Sequence, residues 1–563
     1  MSTSTGTLIG HVIDVRGDGL TANLLADEQD AAPKITVGDE DVLVGQLGSY
    51  VSVRQGSVRI LCVVTRVSEL EKLADTNNAS PDAPVVTYAQ RAIALIPIGS
   101  VSVEGEFERG VSSYPTTGAE VHVVAGNELG TMFSKFRAQG YVVGNLSSQP
   151  SVKVCLEPSR LFGRHFAILG QTGAGKSWAV ASLIQQALAV MPKAHIIILD
   201  LHGEYCWLKP DGERDAAFKE EHFRYVDAKE LEMPYWLMTY SELCDLLIDH
   251  SEREAANQTA FFRDTLFDLK QAEKNSLGLD RVTIDTPVYF SLEELLRQTT
   301  DKNTERSRNP ETNRMNNGPL YGTFDRFLIR LQSKLNDVRY DFLLKPQKRT
   351  TSASLAELLR DFVGLGDPKR PVTVIDLSTV PFDVRPTVAA QIGRLAFEFN
   401  FWNPQYRELP LLLVCEEAHA YVKRQHDSQF AGARKSMERI AKEGRKYGVG
   451  LAVVSQRPHE LSETVLAQCG TFLCLRITNP DDQSYVKSLV PEGERGLVDI
   501  LAGLGRGECL ALGEAVPLPT RFKFNKPAPF PNSEDIDFYN KWKDGPDDID
   551  VESIVDRWRK QQR

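Results

Sequence analysis

Residues 166–177 read Phe166-Ala167-Ile168-Leu169-Gly170-Gln171-Thr172-Gly173-Ala174-Gly175-Lys176-Ser177, and the fold of the chain is decided there. Four apolar residues lead into the pattern G-x-x-x-x-G-K-[ST], and the run SWAVASLIQQALAV (177–190) continues with helical composition. A strand, a glycine-rich turn and a helix in that order make a phosphate-binding loop. Gly170, Gln171, Thr172, Gly173, Ala174 and Gly175 let backbone N–H groups curl around a β-phosphate, and the helix N-terminus adds its positive dipole. Lys176 is expected to reach the β- and γ-phosphates and the Ser177 hydroxyl to ligate Mg²⁺. The expected ligand is therefore ATP or another nucleoside triphosphate with Mg²⁺.

Outward from the loop, AHIIILDL (194–201) is a second buried strand, which makes a β-α-β unit and starts a parallel sheet. The alternation resumes at PVTVIDL (371–377), LPLLLVCEE (409–417), VGLAVVSQ (449–456) and TFLCLRIT (471–478). Between the two halves, residues 234–365 read as helical, in PYWLMTYSELCDLLID, TAFFRDTLFDLKQAEK and TFDRFLIRLQSKLNDVRYDFLL. They also hold a polar stretch, TTDKNTERSRNPETNRMNNGP (299–319), expected to be mobile. Residues 7–150 are short Val/Ile/Tyr/Thr runs separated by Gly, Asp and Asn, which suggests a small barrel or sandwich used for assembly or docking. The fold class is α/β: a RecA-like P-loop core at 156–233 and 366–525, interrupted by the helical insertion 234–365. A small β-barrel precedes it at 1–155 and a tail follows at 526–563.

Composition supports this reading. The 563 residues are 42% apolar and 25% charged, with 40 Gly and 29 Pro, which excludes a disordered chain, a collagen-like repeat and a coiled-coil rod. Lys and Arg number 65 against 76 Asp and Glu, a net charge of −11, so any nucleic-acid site must be local. No apolar run approaches the ~20 residues that cross a bilayer, and the first residues hold no secretory h-region. A soluble cytoplasmic protein is expected. Its eight cysteines form no C-x-x-C pair and read as buried free thiols, as suits a reducing compartment.

Hydrolysis needs carboxylates, and LLLVC (411–415) ends in Glu416-Glu417. Two acids at a buried strand end are costly to desolvate unless a cation is near. Glu416 is expected to hold the Mg²⁺ shell and Glu417 to polarise the attacking water. Gln456, after another strand, either reports on the γ-phosphate or caps the next turn. Residues 423–446 carry eight Lys or Arg against Asp427, Glu438 and Glu443, net +5. Phe430, Met437, Ile440, Ala441 and Tyr447 mark an amphipathic helix there, with Gly448 to end it. The basic run reads as a solvated face, as a source of an arginine finger at Arg445 for a neighbouring subunit, or as a polyanion surface at Lys423, Arg424, Arg434 and Lys435.

The series Arg164-His165, Gly170–Ser177, Asp200-Leu201-His202-Gly203-Glu204-Tyr205, Glu416-Glu417-Ala418-His419 and Ser455-Gln456-Arg457-Pro458 resembles HerA, in the FtsK/HerA division of P-loop proteins. Thr478–Gln483, Gly507–Cys509 and the N-terminal Val44-Gly45-Gln46 with Gly48-Ser49-Tyr50 are similar to it as well. The resemblance implies a homohexameric ring with ATP sites between subunits, moving double-stranded DNA through its channel. It implies a partner too, a NurA-like nuclease in DNA-end processing, or a sirtuin-like or nuclease effector in antiphage defence. By position Arg164 corresponds to the family's arginine before the loop, Arg445 to its trans-acting finger and Asp200 to the acid ending the second strand. A single phosphate loop per chain points the same way, because continuous motion along a polymer needs several sites firing in turn.

Overall fold

The computed structural model describes residues 7–560 except 18, 26–33, 38–39, 44, 74–86, 103–105, 138, 210–211, 312, 425–430 and 547. It divides into two compact units, Met1–Pro192 with Leu451–Ser533, and Lys193–Gly450 with Glu534–Arg563.

The first unit opens with an antiparallel barrel. Strands Gly19–Leu24, Leu8–Arg16, Glu120–Val123, Tyr50–Gln55, Val58–Leu73 and Thr87–Val101 pair in that order, and Gly19–Leu24 closes the ring against Thr87–Val101. Phe107–Arg109 adds a short seventh strand outside the closure. The burial of Gly19–Leu24 alternates residue by residue, so one side of each strand faces a core of Val12, Leu20, Ala22, Val53, Val64, Ile93 and Val121. Closure settles the choice between barrel and sandwich.

The barrel is shorter than the division at 155 implies. Val142–Leu146 and Lys153–Cys155 pair with each other, and Val142–Leu146 pairs with Thr520–Phe524. They belong to a second sheet that runs Lys153–Cys155, Val142–Leu146, Thr520–Phe524, Glu508–Gly513, Thr471–Cys474, Phe166–Leu169 and Val449–Ser455. Phe166–Leu169 is parallel to both neighbours, and the strands toward Lys153–Cys155 are antiparallel. The reason is connection length. Parallel neighbours need a crossover element, whereas Glu508–Gly513 with Thr520–Phe524, and Val142–Leu146 with Lys153–Cys155, are each joined by a short connection that makes an antiparallel hairpin.

In the second unit four strands run in parallel, in the order Leu411–Cys415, His195–Asp200, Val372–Asp376 and Phe223–Asp227. The first three in that order read almost wholly apolar because they are covered on both faces. The helical insertion appears where expected, with helices Tyr240–Leu247, Ala255–Ala272, Leu292–Thr304, Asp325–Leu335 and Ser354–Phe362. Trp236, Phe262, Phe290, Phe324, Phe327, Leu331 and Phe362 are buried in its core. The polar stretch is not the loose loop its composition suggested. It continues helix Leu292–Thr304 and then forms a hairpin, Arg306–Arg308 with Met315–Asn317. All eight cysteines are buried and free, as expected. Among the described residues no helix is long and apolar enough to cross a membrane.

Candidate functional site

In the first unit the phosphate loop leaves the C-terminal end of a fully buried strand. Gly170 N–H donates to Ser455 O (3.2 Å) and Gln171 N–H to Arg476 O (2.9 Å). A Cβ on Gly170 would lie 2.9 Å from Leu475 Cβ, so the turn admits no larger residue. Gln171 Oε1 accepts from Thr478 N–H (3.1 Å) and Oγ1 (2.6 Å), and Ala174 O accepts from Gly507 N–H (3.1 Å). Gly175, with φ +100°, caps helix Lys176–Val190 in the left-handed conformation. Among the described residues the N–H groups of Gly173 and Gly175 donate to no backbone carbonyl, which leaves them for an anion. The Lys176 side chain is folded in, the residue being 8% exposed.

Gln456 follows a strand whose last residue pairs with Leu169, and its Oε1 accepts from the Thr172 hydroxyl. It is therefore tied to the loop rather than to the turn after it. Arg164 lies at the other end of the strand Phe166–Leu169, where it forms an ion pair with Glu514. A four-residue strand spans roughly 13 Å, so this arginine does not reach the loop of its own chain.

Sequence reading missed what covers the helix after the loop. Trp178 lies between the Phe530 ring, stacked at 5.2 Å, and the Arg506 guanidinium at 5.3 Å. The Gln185 amide exchanges hydrogen bonds with Ala528 N–H (2.8 Å) and Pro529 O (2.8 Å). Residues 526–533, placed in the tail by composition, thus strap the phosphate-loop helix. The Pro-Ala-Pro-Phe-Pro run was the available signal.

In the second unit the parallel strands deliver acids to one edge. Register places Asp200 beside Asp376, and Glu416 follows the strand paired through Cys415 with Leu199. Asp200 Oδ1 accepts from the N–H groups of His202 (3.2 Å), Gly203 (2.8 Å) and Glu204 (3.1 Å), and Oδ2 from Tyr205 N–H (3.0 Å). Its carboxylate shapes the Asp-Leu-His-Gly-Glu-Tyr turn. That turn presents the buried Tyr205, whose hydroxyl donates to Glu416 Oε1, while Tyr421 OH donates to Glu416 O (3.0 Å). Asp376 Oδ2 accepts from Tyr225 OH (2.8 Å). Tyr205 and Asp376 are site residues that strand-end spacing alone did not single out.

Burial, followed by the nearby Glu204, Glu417 and Asp200, pushes the Glu416 carboxyl up to about 8. Burial, with Asp376 and Glu204 adding, pushes Asp200 up to about 7 against the backbone N–H groups. Acids crowded and desolvated in this way favour a cation among them. Among the described residues no group of three His, Cys, Asp or Glu is arranged to hold a metal alone. Mg²⁺ needs only one or two carboxylates and fills the rest of its octahedron with water and phosphate oxygens, and the Glu416 carboxylate could supply one of them. Glu417 has φ +44°, uncommon for a residue with a side chain, and its Oε2 is 3.2 Å from His419 Nδ1.

The basic run resolves into two groups. Helix Ala431–Glu443 buries Met437 and Ile440 and packs on helix Arg385–Trp402. Arg439 is held by Glu398 (2.6 Å) over the Phe397 ring (4.2 Å), and Lys442 stands 4.0 Å from Glu438. Arg434, nominated for a polyanion surface, is mostly covered, its side chain 14% exposed and 3.8 Å from Glu438. Lys435 and Arg424 are exposed and Lys423 is half-buried. Arg445 and Lys446 project from the turn Gly444–Tyr447, which Gly448 closes. Phe430 and Asp427 lie outside the described residues.

Residues 141–396 match the family described as helicase HerA, central domain. The match begins beside Val142–Leu146, where the second sheet starts, and takes in the helical insertion. The DNA double-strand break repair helicase HerA of Pyrococcus furiosus is 28% identical over 452 residues, 75% of each chain. That of Sulfurisphaera tokodaii is 25% identical over 525 residues, 91% of this chain and 94% of its own. Among solved structures, VirB4 of Thermoanaerobacter pseudethanolicus aligns with a TM-score of 0.45 and 20% identity, over 68% of this chain and 96% of its own. The match to the HerA central domain thus surrounds a built phosphate loop, and the chain is a P-loop ATPase similar to HerA over most of its length.

Proposed function

We propose that the protein is an ATP-driven motor that moves double-stranded DNA, working as a homohexameric ring. The observation that carries this reading is the extent of the likeness: relatives named as DNA double-strand break repair helicases match up to 91% of the chain, well beyond its ATPase core. In this reading Gly170–Ser177 cradle the triphosphate, with Lys176 on the β- and γ-phosphates and Ser177 and Glu416 oxygens on Mg²⁺. The metal, when bound, neutralises phosphate charge. Tyr205 holds Glu416 in its rotamer. Glu417 orients and polarises the attacking water, and His419 holds its carboxylate. Gln456, tied to Thr172, senses the γ-phosphate. Arg445 stabilises transition-state charge in a neighbour's site. Arg164 can serve a phosphate only across subunits.

Lys423, Arg424 and Lys435 are proposed to meet DNA phosphates, and Arg434 is dropped from that set because Glu438 holds it. The barrel is proposed to dock a nuclease of the NurA type. In the alternative reading the ring regulates a sirtuin-like or nuclease effector in antiphage defence, with DNA movement secondary. Eight buried free thiols fit work in the reducing cytoplasm. The test is Glu417→Gln. It is expected to keep ATP binding and lower turnover by about 10²-fold or more, the range for losing a positioned base. In the unaltered protein turnover should rise with duplex DNA. Turnover indifferent to DNA favours the effector-regulating ring, and a Glu417→Gln protein at full rate removes the assignment of that carboxylate.

A further inference from the structure

The hairpin of the helical insertion is exposed along both strands and tied down at its base. Arg306 pairs with Asn317, Ser307 with Asn316 and Arg308 with Met315. Residues 306–308 and 313–317 are all exposed, so neither face of the ribbon packs on a core. A two-stranded hairpin is marginal by itself. This one is secured at its base. Gly318 N–H donates to Glu305 O (2.8 Å) and Gly322 N–H to Asn303 O (3.0 Å). The buried Asn303 accepts from Phe324 N–H (2.7 Å) and donates to Asp325 (2.6 Å). Arg306 lies over the Tyr321 ring at 4.9 Å and donates to its hydroxyl (2.6 Å). These bonds hold the base, and the outer half presents Arg308 and Arg314 beside Glu311, Met315 and several asparagines.

We propose that this ribbon is a further DNA-contacting element, with Arg308 and Arg314 each meeting a phosphate of a duplex backbone. The inference rests on the DNA reading above. Residues 306–317 hold three arginines and one carboxylate, Glu311, in a chain of net charge −11. Among the described residues Arg308 and Arg314 form no ion pair, unlike Arg297, Arg330 and Arg339 elsewhere in the insertion. Asn313, Asn316 and Asn317 add uncharged polar groups along the same ribbon. A duplex major groove admits a two-stranded ribbon, and contacts to phosphate carry no sequence preference, as a motor requires.

The test uses the full-length chain with Arg308→Ala and Arg314→Ala together, and a mixed-sequence duplex bound over a salt series. The expected result is weaker binding by the same factor on every sequence and a log K against log salt slope shallower by about two. Arg308→Glu with Arg314→Glu should weaken binding further. ATP turnover without DNA and the thermal midpoint should equal those of the unaltered protein. Unchanged affinity and slope would overturn the inference and leave the DNA reading standing. Loss of a partner protein with DNA affinity intact would overturn it too, in favour of a protein contact. If the unaltered chain binds no duplex, both readings fall.

Discussion

At Gly175 the backbone takes φ +100°, and a Cβ there would come within 3.3 Å of Gly507 N. Gly175→Ala is expected to cost about 1–2 kcal/mol of left-handed strain and to weaken nucleotide binding, read with a fluorescent ATP analogue. Lys176→Ala should abolish binding or turnover without moving the thermal midpoint comparably. Tyr205→Phe removes the hydroxyl that holds Glu416. The expected result is a higher Mg²⁺ requirement for turnover with metal-free nucleotide binding unchanged, measured by Mg²⁺ titration. Among these residues, the loop glycines, Lys176, Ser177 and the Glu pair were legible because the phosphate chemistry demands them at fixed spacing. Tyr205 stands in a motif whose spacing gives it no role of its own, and its contact with Glu416 depends on a hydrogen bond across 211 positions.

The helical insertion shows the same contrast at the level of elements. Its long helices were readable from apolar spacing, but its hairpin was not, since a polar ribbon without an apolar face has no periodic signal. The fully buried Lys270 is likewise invisible in sequence. It bonds Ile284 O (2.7 Å) and Thr286 O (2.9 Å), and burial pushes its amine down to about 8. The unfolded chain then binds more protons than the folded one between about 8 and the usual lysine value near 10.5. Lys270 is therefore expected to make stability rise with pH across that window, its neutral amine still serving both carbonyls. Chemical denaturation at several pH values should show this contribution, and Lys270→Met should remove it.

For the whole molecule, a ring predicts a particle of six 62.8 kDa chains by mass measurement. Arg445→Ala is expected to leave ATP binding intact and to reduce turnover about 10³-fold or more, the usual contribution of a trans arginine. Mixing it with Lys176→Ala chains should restore part of the rate, because an intact loop then meets an intact arginine. A stable monomer at full turnover would remove both the ring and the finger. The chain's composition, its α/β alternation, its helical insertion and its phosphate loop follow from sequence alone, because each depends on local periodicity or on chemistry at short spacing. Barrel closure, the transfer of Val142–Leu146 and Lys153–Cys155 to the second sheet and the strap over Trp178 were settled only by tertiary structure. Each depends on which strand or side chain meets a partner far away in the chain, and pairing energies of that kind leave no trace in local pattern.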